Sequence, residues 1–247
     1  MALLLMEGFD EYTDADDFST DSIWGLTTTS GISFTTGRID GQCLRINVGA
    51  NGYTASLSQN SGSTIYFGLA VYVDVLPTST RTMAMGIDSA GNVQFTVEMI
   101  SSGNLVIERG GIVVIGTTST TLNIGKWNYI VLKMFINNTT GTLEFWLNGS
   151  KVINETGIDT MQASVADIGR IRLYGITGVD IRYDDLYVGD TTGTDMTDQQ
   201  GDCHIEMLTP NANGTTNNFT ASPAVSNYLN VDDGASSDGD TSYNHSS

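Results

Sequence analysis

An all-β, antiparallel two-sheet sandwich is the fold class this sequence predicts, and three observations predict it. Apolar and polar residues alternate over short runs, tight-turn residues separate those runs at regular spacing, and no long helical period occurs in the 247 residues. A chain of this length buries a substantial core in one large β-domain and still leaves an appendage. The formal net charge of -18 argues against two partner classes, because an acidic surface repels nucleic-acid phosphate and anionic lipid alike. The charge is also uneven: no Lys or Arg precedes Arg38 and none follows Arg182.

Leu3–Phe9 reads as the first strand. Met1–Glu7 has no basic n-region and its apolar run stops at Met6, so no signal peptide is expected there. Asp10–Asp21 reads as an acidic loop. Calcium is the one ion its Asp14, Asp16 and Asp17 suggest, but the loop lacks the glycine and ligand ladder of a calcium loop. A solvated loop and no cofactor are therefore expected. Cys43–Val48 and Tyr53–Gln59 follow as strands. Then comes Thr64–Leu76, where Phe67, Leu69, Val71, Val73 and Val75 alternate with Tyr66, Gly68, Ala70, Tyr72 and Asp74. It reads as half-buried and stopped by Pro77. A meander of Thr82–Ile87, Val93–Ile100, Leu105–Glu108 and Ile112–Ile115 is punctuated by Ser89–Asn92, Ser101–Asn104 and Arg109–Gly111.

Two further runs, Trp127–Ile136 and Thr142–Leu147, are joined by the polar loop Asn137–Gly141, and the second ends at Asn148-Gly149. That pair tolerates the positive φ of a tight hairpin turn. Leu143, Phe145 and Leu147 share one face, with Thr142, Glu144 and Trp146 on the other. The first run is apolar on both faces and should be a central strand. Ile168–Tyr174 and Ile181–Val188 complete the sheets. Cys43 and Cys203, the only cysteines, are expected to be free thiols.

The Trp127-x-Tyr129 strand, its short loop and the closing Leu147-Asn148-Gly149 resemble a hallmark of concanavalin A-like (laminin G-like) jelly rolls. So do Gly37-Arg38, Gly41-Gln42-Cys43-Leu44-Arg45 and the run from Tyr183 to Val188. The resemblance spans about residues 1 to 190 and implies a jelly roll whose first and last strands pair. It fixes no activity, because this fold hosts lectins, glycosidases, adhesion modules and viral coat parts.

The chain therefore divides into a jelly roll over 1–189, a Thr/Asp/Gly linker over 190–201 and an acidic C-terminal arm over 202–247. Within the arm, Cys203–Leu208, Asn217–Ala221 and Asn227–Val231 are sparse strand candidates with too few apolar residues for a core, so the arm should order only against a neighbour. Gly201–Pro210, Asn227–Asp233 and Asp238–Tyr243 resemble C-terminal segments of tailed-bacteriophage structural proteins. That resemblance implies a non-enzymatic virion component on the particle surface, a capsid decoration or external fibre. Its partners would be capsid, tail or fibre proteins and further copies of itself.

The laminarinase pattern Glu-x-Asp-x-x-Glu is missing, since no Glu-x-Asp occurs, and the two histidines, His204 and His245, lie in the arm. No phosphate-cradling loop is present. A non-enzyme is expected. The rival expectation is a glycan-binding module, receptor-binding or lectin-like. Trp146 faces away from the Leu143 row, while Arg170, Arg172 and Tyr174 lie opposite Ile171 and Leu173. If these outward rows share a sheet face, Trp146, Arg172 and Tyr174 make a sugar platform; otherwise Trp146 packs beneath a loop or a second subunit. Asp184 and Asp185 should point to opposite faces unless a bulge re-aims one, with Arg170, Arg172 or Arg182 as their ion-pair partners.

Overall fold

The computed structural model describes residues 3–20, 23–25, 31–47, 52–57, 60–194, 196, 198–206, 220–222 and 243–245. Two antiparallel sheets pack face to face. Sheet A comprises β1 (Leu3–Glu7), β3 (Ile32–Thr36), β4 (Gln42–Ile46), β6 (Thr64–Val73), β11 (Trp127–Phe135), β12 (Gly141–Leu147), β13 (Ser150–Ile158) and β15 (Ile181–Asp190). Sheet B comprises β2 (Trp24–Gly25), β5 (Gly52–Ser56), β7 (Arg81–Ile87), β8 (Val93–Met99), β9 (Asn104–Arg109), β10 (Val113–Thr121) and β14 (Arg170–Tyr174). The core between them is built from inward rows such as Leu44, Phe67, Phe95, Leu132, Phe145 and Leu173, all fully buried. Among the described residues no helix is long and apolar enough to cross a membrane.

The hairpin at Asn148-Gly149 forms as expected, with φ of 51° and 79°. The first and last strands of the sandwich pair, Leu5 with Val188 and Glu7 with Leu186. Cys43 and Cys203 are both free. Three strands of the sandwich escaped the pattern. β2 is two residues long, β3 carries only Ile32 buried, and β13 is mostly exposed, with Ile153 as its buried residue. β13 lies at the edge of its sheet and takes its backbone partners from β12, so it needs no apolar row of its own. β10 runs on through threonines past Ile115 for the same reason.

Asp10–Asp21 is not simply a loop. Ala15–Thr20 forms the short helix α1, and Asp14 Oδ1 caps it by accepting the amides of Asp16 (2.8 Å) and Asp17 (3.0 Å). Asp17 in turn accepts the amide and hydroxyl of Thr13. These carboxylates serve the helix end. The helix exists because Phe18 anchors it among Phe9, Tyr12, Trp24 and Phe34. Beneath that cluster Glu7 accepts from Phe9 N, Tyr12 Oη and Trp24 Nε1, and burial pushes its carboxyl up to about 8.

The arm also departs from expectation at its start. Residues 198–206 are held against the outer face of sheet A by the sandwich itself, so ordering here needs no second chain. β16 (Thr220–Ser222) and β17 (Tyr243–His245) pair with each other, Ala221 opposite Asn244. The expected strand Asn227–Val231 lies outside the described residues.

Candidate functional site

The two outer faces of the sandwich are different surfaces, and the expected platform residues divide between them. On sheet A, Tyr66, Ala70, Tyr129, Val131 and Tyr187 form a second buried cluster, with Trp127, Trp146, Cys203 and Ile205 packed against it. β6 is therefore covered on both sides rather than half-buried. Tyr187 lies across Gly68, where a Cβ would meet its ring. The cover is the strap 198–206. Lys133 Nζ meets Asp198 at 2.6 Å, Gln200 N donates to Tyr187 Oη at 3.0 Å, and Arg38 bonds Asp202 and the Cys203 carbonyl. Trp146 sits at the strap's edge in a cavity of about 110 Å³ with Tyr129, Gln199 and Asp202, under the Lys151 ammonium at 4.8 Å from its ring centroid.

What fastens the strap is a change of partner along β15. One side of β15 pairs with β6 throughout, while the other pairs first with β4 (Ile181–Tyr183) and then with β1 (Leu186–Gly189). Asp184 and Asp185 fall at the junction, where a bulge breaks the register and Asp185 takes φ 51°. The bulge turns both carboxylates toward the Gly37-Arg38 turn. Asp184 Oδ2 accepts Arg38 N at 2.7 Å, and Asp185 Oδ2 lies 2.8 Å from Arg38 Nε. The ion-pair partner is thus Arg38, not Arg170, Arg172 or Arg182. The last of these pairs instead with Asp180, at 2.8 Å. Fully buried Asp185 also accepts Ile205 N at 2.7 Å and faces His204 Nδ1 at 3.2 Å, while His204 Nε2 meets Asp40 at 2.9 Å. Burial opposes charge on this imidazole, but Asp185, Asp40 and Glu206 outweigh it and hold its pKa above the usual value. Burial, the largest cause, pushes Asp184 up to about 7.

On sheet B the segment 162–165 bonds buried Gln94 at one end of β8, while on β14 Arg170 is exposed and Arg172 and Tyr174 are half-buried. Ile171 and Leu173 point into the core, which leaves Arg170, Arg172 and Tyr174 outward. Arg172 Nε donates to Thr54 Oγ1 at 2.7 Å, its Nη1 to Tyr174 Oη at 3.3 Å, and Tyr174 Oη to Met85 Sδ at 3.6 Å. Opposite Tyr174 on β5 stands Gly52. A Cβ there would lie 2.5 Å from Arg172 Cδ and 2.8 Å from Tyr174 Cε1, so the missing side chain is what lets the pair lie down together. Tyr174, Arg81, Thr82, Gly175 and Thr177 line a cleft of about 360 Å³. Thr82 Oγ1 donates to Glu98 Oε1 at 3.0 Å, and on β9 the Glu108 carboxyl is pushed up by burial and then by Glu98.

The platform therefore does not assemble as a trio. Arg172 and Tyr174 come together on sheet B, whereas Trp146 belongs to sheet A and packs beneath a loop. Arg81, Thr82 and Gly52 were missed because no local pattern relates them to β14; only strand order does.

No protein-family model matches this chain, and no curated protein matches it. Solved structures with a similar architecture include an endo-beta-1,4-glucuronan lyase from the fungus Trichoderma reesei, at 16% identity with a TM-score of 0.49, covering 69% of this chain and 95% of that one. An alginate lyase follows at 13% identity and a TM-score of 0.49, covering 75% and 96%. A Trypanosoma rangeli sialidase, at 11% and 0.45, covers 67% of this chain and 30% of its own. At such identities the likeness is one of fold. The expectation of a non-enzyme is corrected on this point. The structures just named are lyases and a sialidase. A missing Glu-x-Asp speaks only to the hydrolase type that carries it. None of these structures is a virion protein.

Proposed function

We propose that the sandwich is a saccharide-binding module that uses the outer face of sheet B. The observation that carries this reading is the Arg172–Tyr174 pair, fixed by Thr54, Met85 and Gly52 beside a cleft of about 360 Å³. A sugar ring needs an apolar surface to stack on and flanking donors and acceptors to fix its hydroxyls. Tyr174 supplies the first; Arg172, Thr54 and Thr82 supply the second. The groups are already held in place, so little side-chain entropy is lost on binding. Glycan-array binding by the whole chain, abolished in Tyr174→Ala, supports the reading; an array silent for the unaltered chain rejects it.

The virion role is a separate proposal and rests on the resemblance of the arm. Its beginning is committed to the chain's own sandwich, so attachment to a particle would fall to residues after Glu206. Imaging intact particles with this chain labelled tests it.

A further inference from the structure

Charge accounting deepens the saccharide reading and rests on it. The chain has 28 acidic residues against 10 basic ones. In such an excess of carboxylate nearly every cation should find a partner. Arg38, Arg45, Arg109, Lys133, Lys151 and Arg182 do, each within 4.0 Å of an Asp or Glu oxygen. Among the described residues Arg81, Lys126, Arg170 and Arg172 make no ion pair. Three of these four are carried by the adjacent strands β7 and β14 of sheet B: Arg81 lines the cleft, Arg172 bonds its Tyr174 wall, and Arg170 stands at the far end opposite Ile87.

We propose that the ligand of this face is an acidic saccharide whose carboxylate or sulfate group sits on the Arg172 guanidinium while a ring stacks on Tyr174, and whose chain runs on into the cleft that Arg81 lines. A guanidinium has five N–H donors in a planar fork that matches such an anion in two-point fashion. Arg172 spends two of its donors on Thr54 and Tyr174, which orient the fork and leave the rest outward. The carboxylates of the same face stand apart from Arg172. Glu108 on β9 is three strands from β14, roughly 14 Å at about 4.8 Å per strand and beyond the screening length of about 8 Å at physiological salt. Glu98 on β8 is two strands from β14, nearer to Arg81, and is engaged by Thr82 Oγ1. The face is thus polar along its width: a cationic half for the acid group, and a carboxylate half able to accept from hydroxyls. The general negative charge of the chain is screened over the same distance, whereas contact pairs with arginine persist.

The test is titration calorimetry of the whole chain at about 0.15 M salt with three tetrasaccharide classes: an oligouronate, a sulfated oligosaccharide and a neutral glucan. Binding of one or both acidic classes at least tenfold tighter than the neutral one is expected, and which of the two wins names the anion. In Arg172→Gln and Arg81→Gln that preference should fall at least tenfold. Arg172→Lys, which keeps the charge but loses the fork, should fall between and controls for folding. Neutral binding equal to or better than acidic binding overturns the proposal and leaves the saccharide reading standing, as does a preference unchanged in both glutamine variants. Binding of no class rejects the reading beneath it as well.

Discussion

The two outer faces of this sandwich are made from similar materials and used in opposite ways. Sheet A presents Tyr66, Tyr129, Tyr187 and Trp146, then buries them under its own chain and neutralises its cations with Asp185, Asp198 and Asp202. Sheet B presents Tyr174, Arg170 and Arg172, with Arg81 at the cleft, and among the described residues these arginines pair with no carboxylate. Aromatic content therefore does not tell the covered face from the open one. What separates the two is whether the polar groups are already satisfied, because a satisfied group gains little from a ligand and an unsatisfied one gains a charge-assisted hydrogen bond.

That contrast can be broken most forcefully at Asp185. Replacing it with Ala removes the buried partner of Arg38, leaving it only the exposed Asp202 and the Cys203 carbonyl, and should cost up to about 3–5 kcal/mol, with faster hydrogen exchange over 198–206. Asp185→Asn keeps a residue type that tolerates φ 51° and isolates the charge. Unchanged exchange in both variants would mean the strap is not held as described. On the open face, Tyr174→Ala should weaken saccharide binding by about tenfold or more, stacking being worth about 0.5–1.5 kcal/mol beyond its area. Trp146→Ala should lower the melting temperature and leave affinity alone. The reverse pattern would exchange the roles of the faces.

A subtler probe is Gly52→Ala, which touches neither ligand nor charge. By pushing aside Arg172 and Tyr174 it should reduce affinity several-fold, read by calorimetry, with little loss of melting temperature because the site is on the surface. The smallest effect expected is a pH dependence of the strap. A histidine whose folded pKa is raised contributes stability that is fully present below about 6.5 and is lost as pH rises through the folded value. Asp184, raised to about 7, acts in the same direction because its neutral form suits the buried site. Exchange over 198–206, corrected for its intrinsic pH dependence, should thus quicken from pH 6 to 8. His204→Gln should flatten that change in part, and an equal slope in the variant would remove His204 from the clasp.

Much of this molecule was legible before any coordinates. Period-two alternation placed β6, β8 and β12, a run apolar on both faces placed β11, and Asn148-Gly149 marked its hairpin, because the sides of a strand are a local property of its side chains. β13 and α1 were illegible for the opposite reason. One takes its partners from a neighbouring strand, and the other is anchored by a single Phe18 in a cluster assembled from distant segments. The candidate site was half legible: Arg172 and Tyr174 show as an outward row, while their setting among Gly52, Thr54, Arg81 and Met85 does not.

The sequence by itself determined an all-β sandwich, its strand faces, its charge excess and the outward positions of its aromatics and arginines. Tertiary structure alone decided which outward rows share a face. It put β12 and β14 in different sheets, split Trp146 from Tyr174, and folded the start of a polar arm over one face and not the other. The physical reason is that alternation fixes a strand's two sides but says nothing of its neighbours. Partners in a sheet are chosen by long-range pairing and closure, as at β15, where a change of partner created the buried carboxylate that holds the strap.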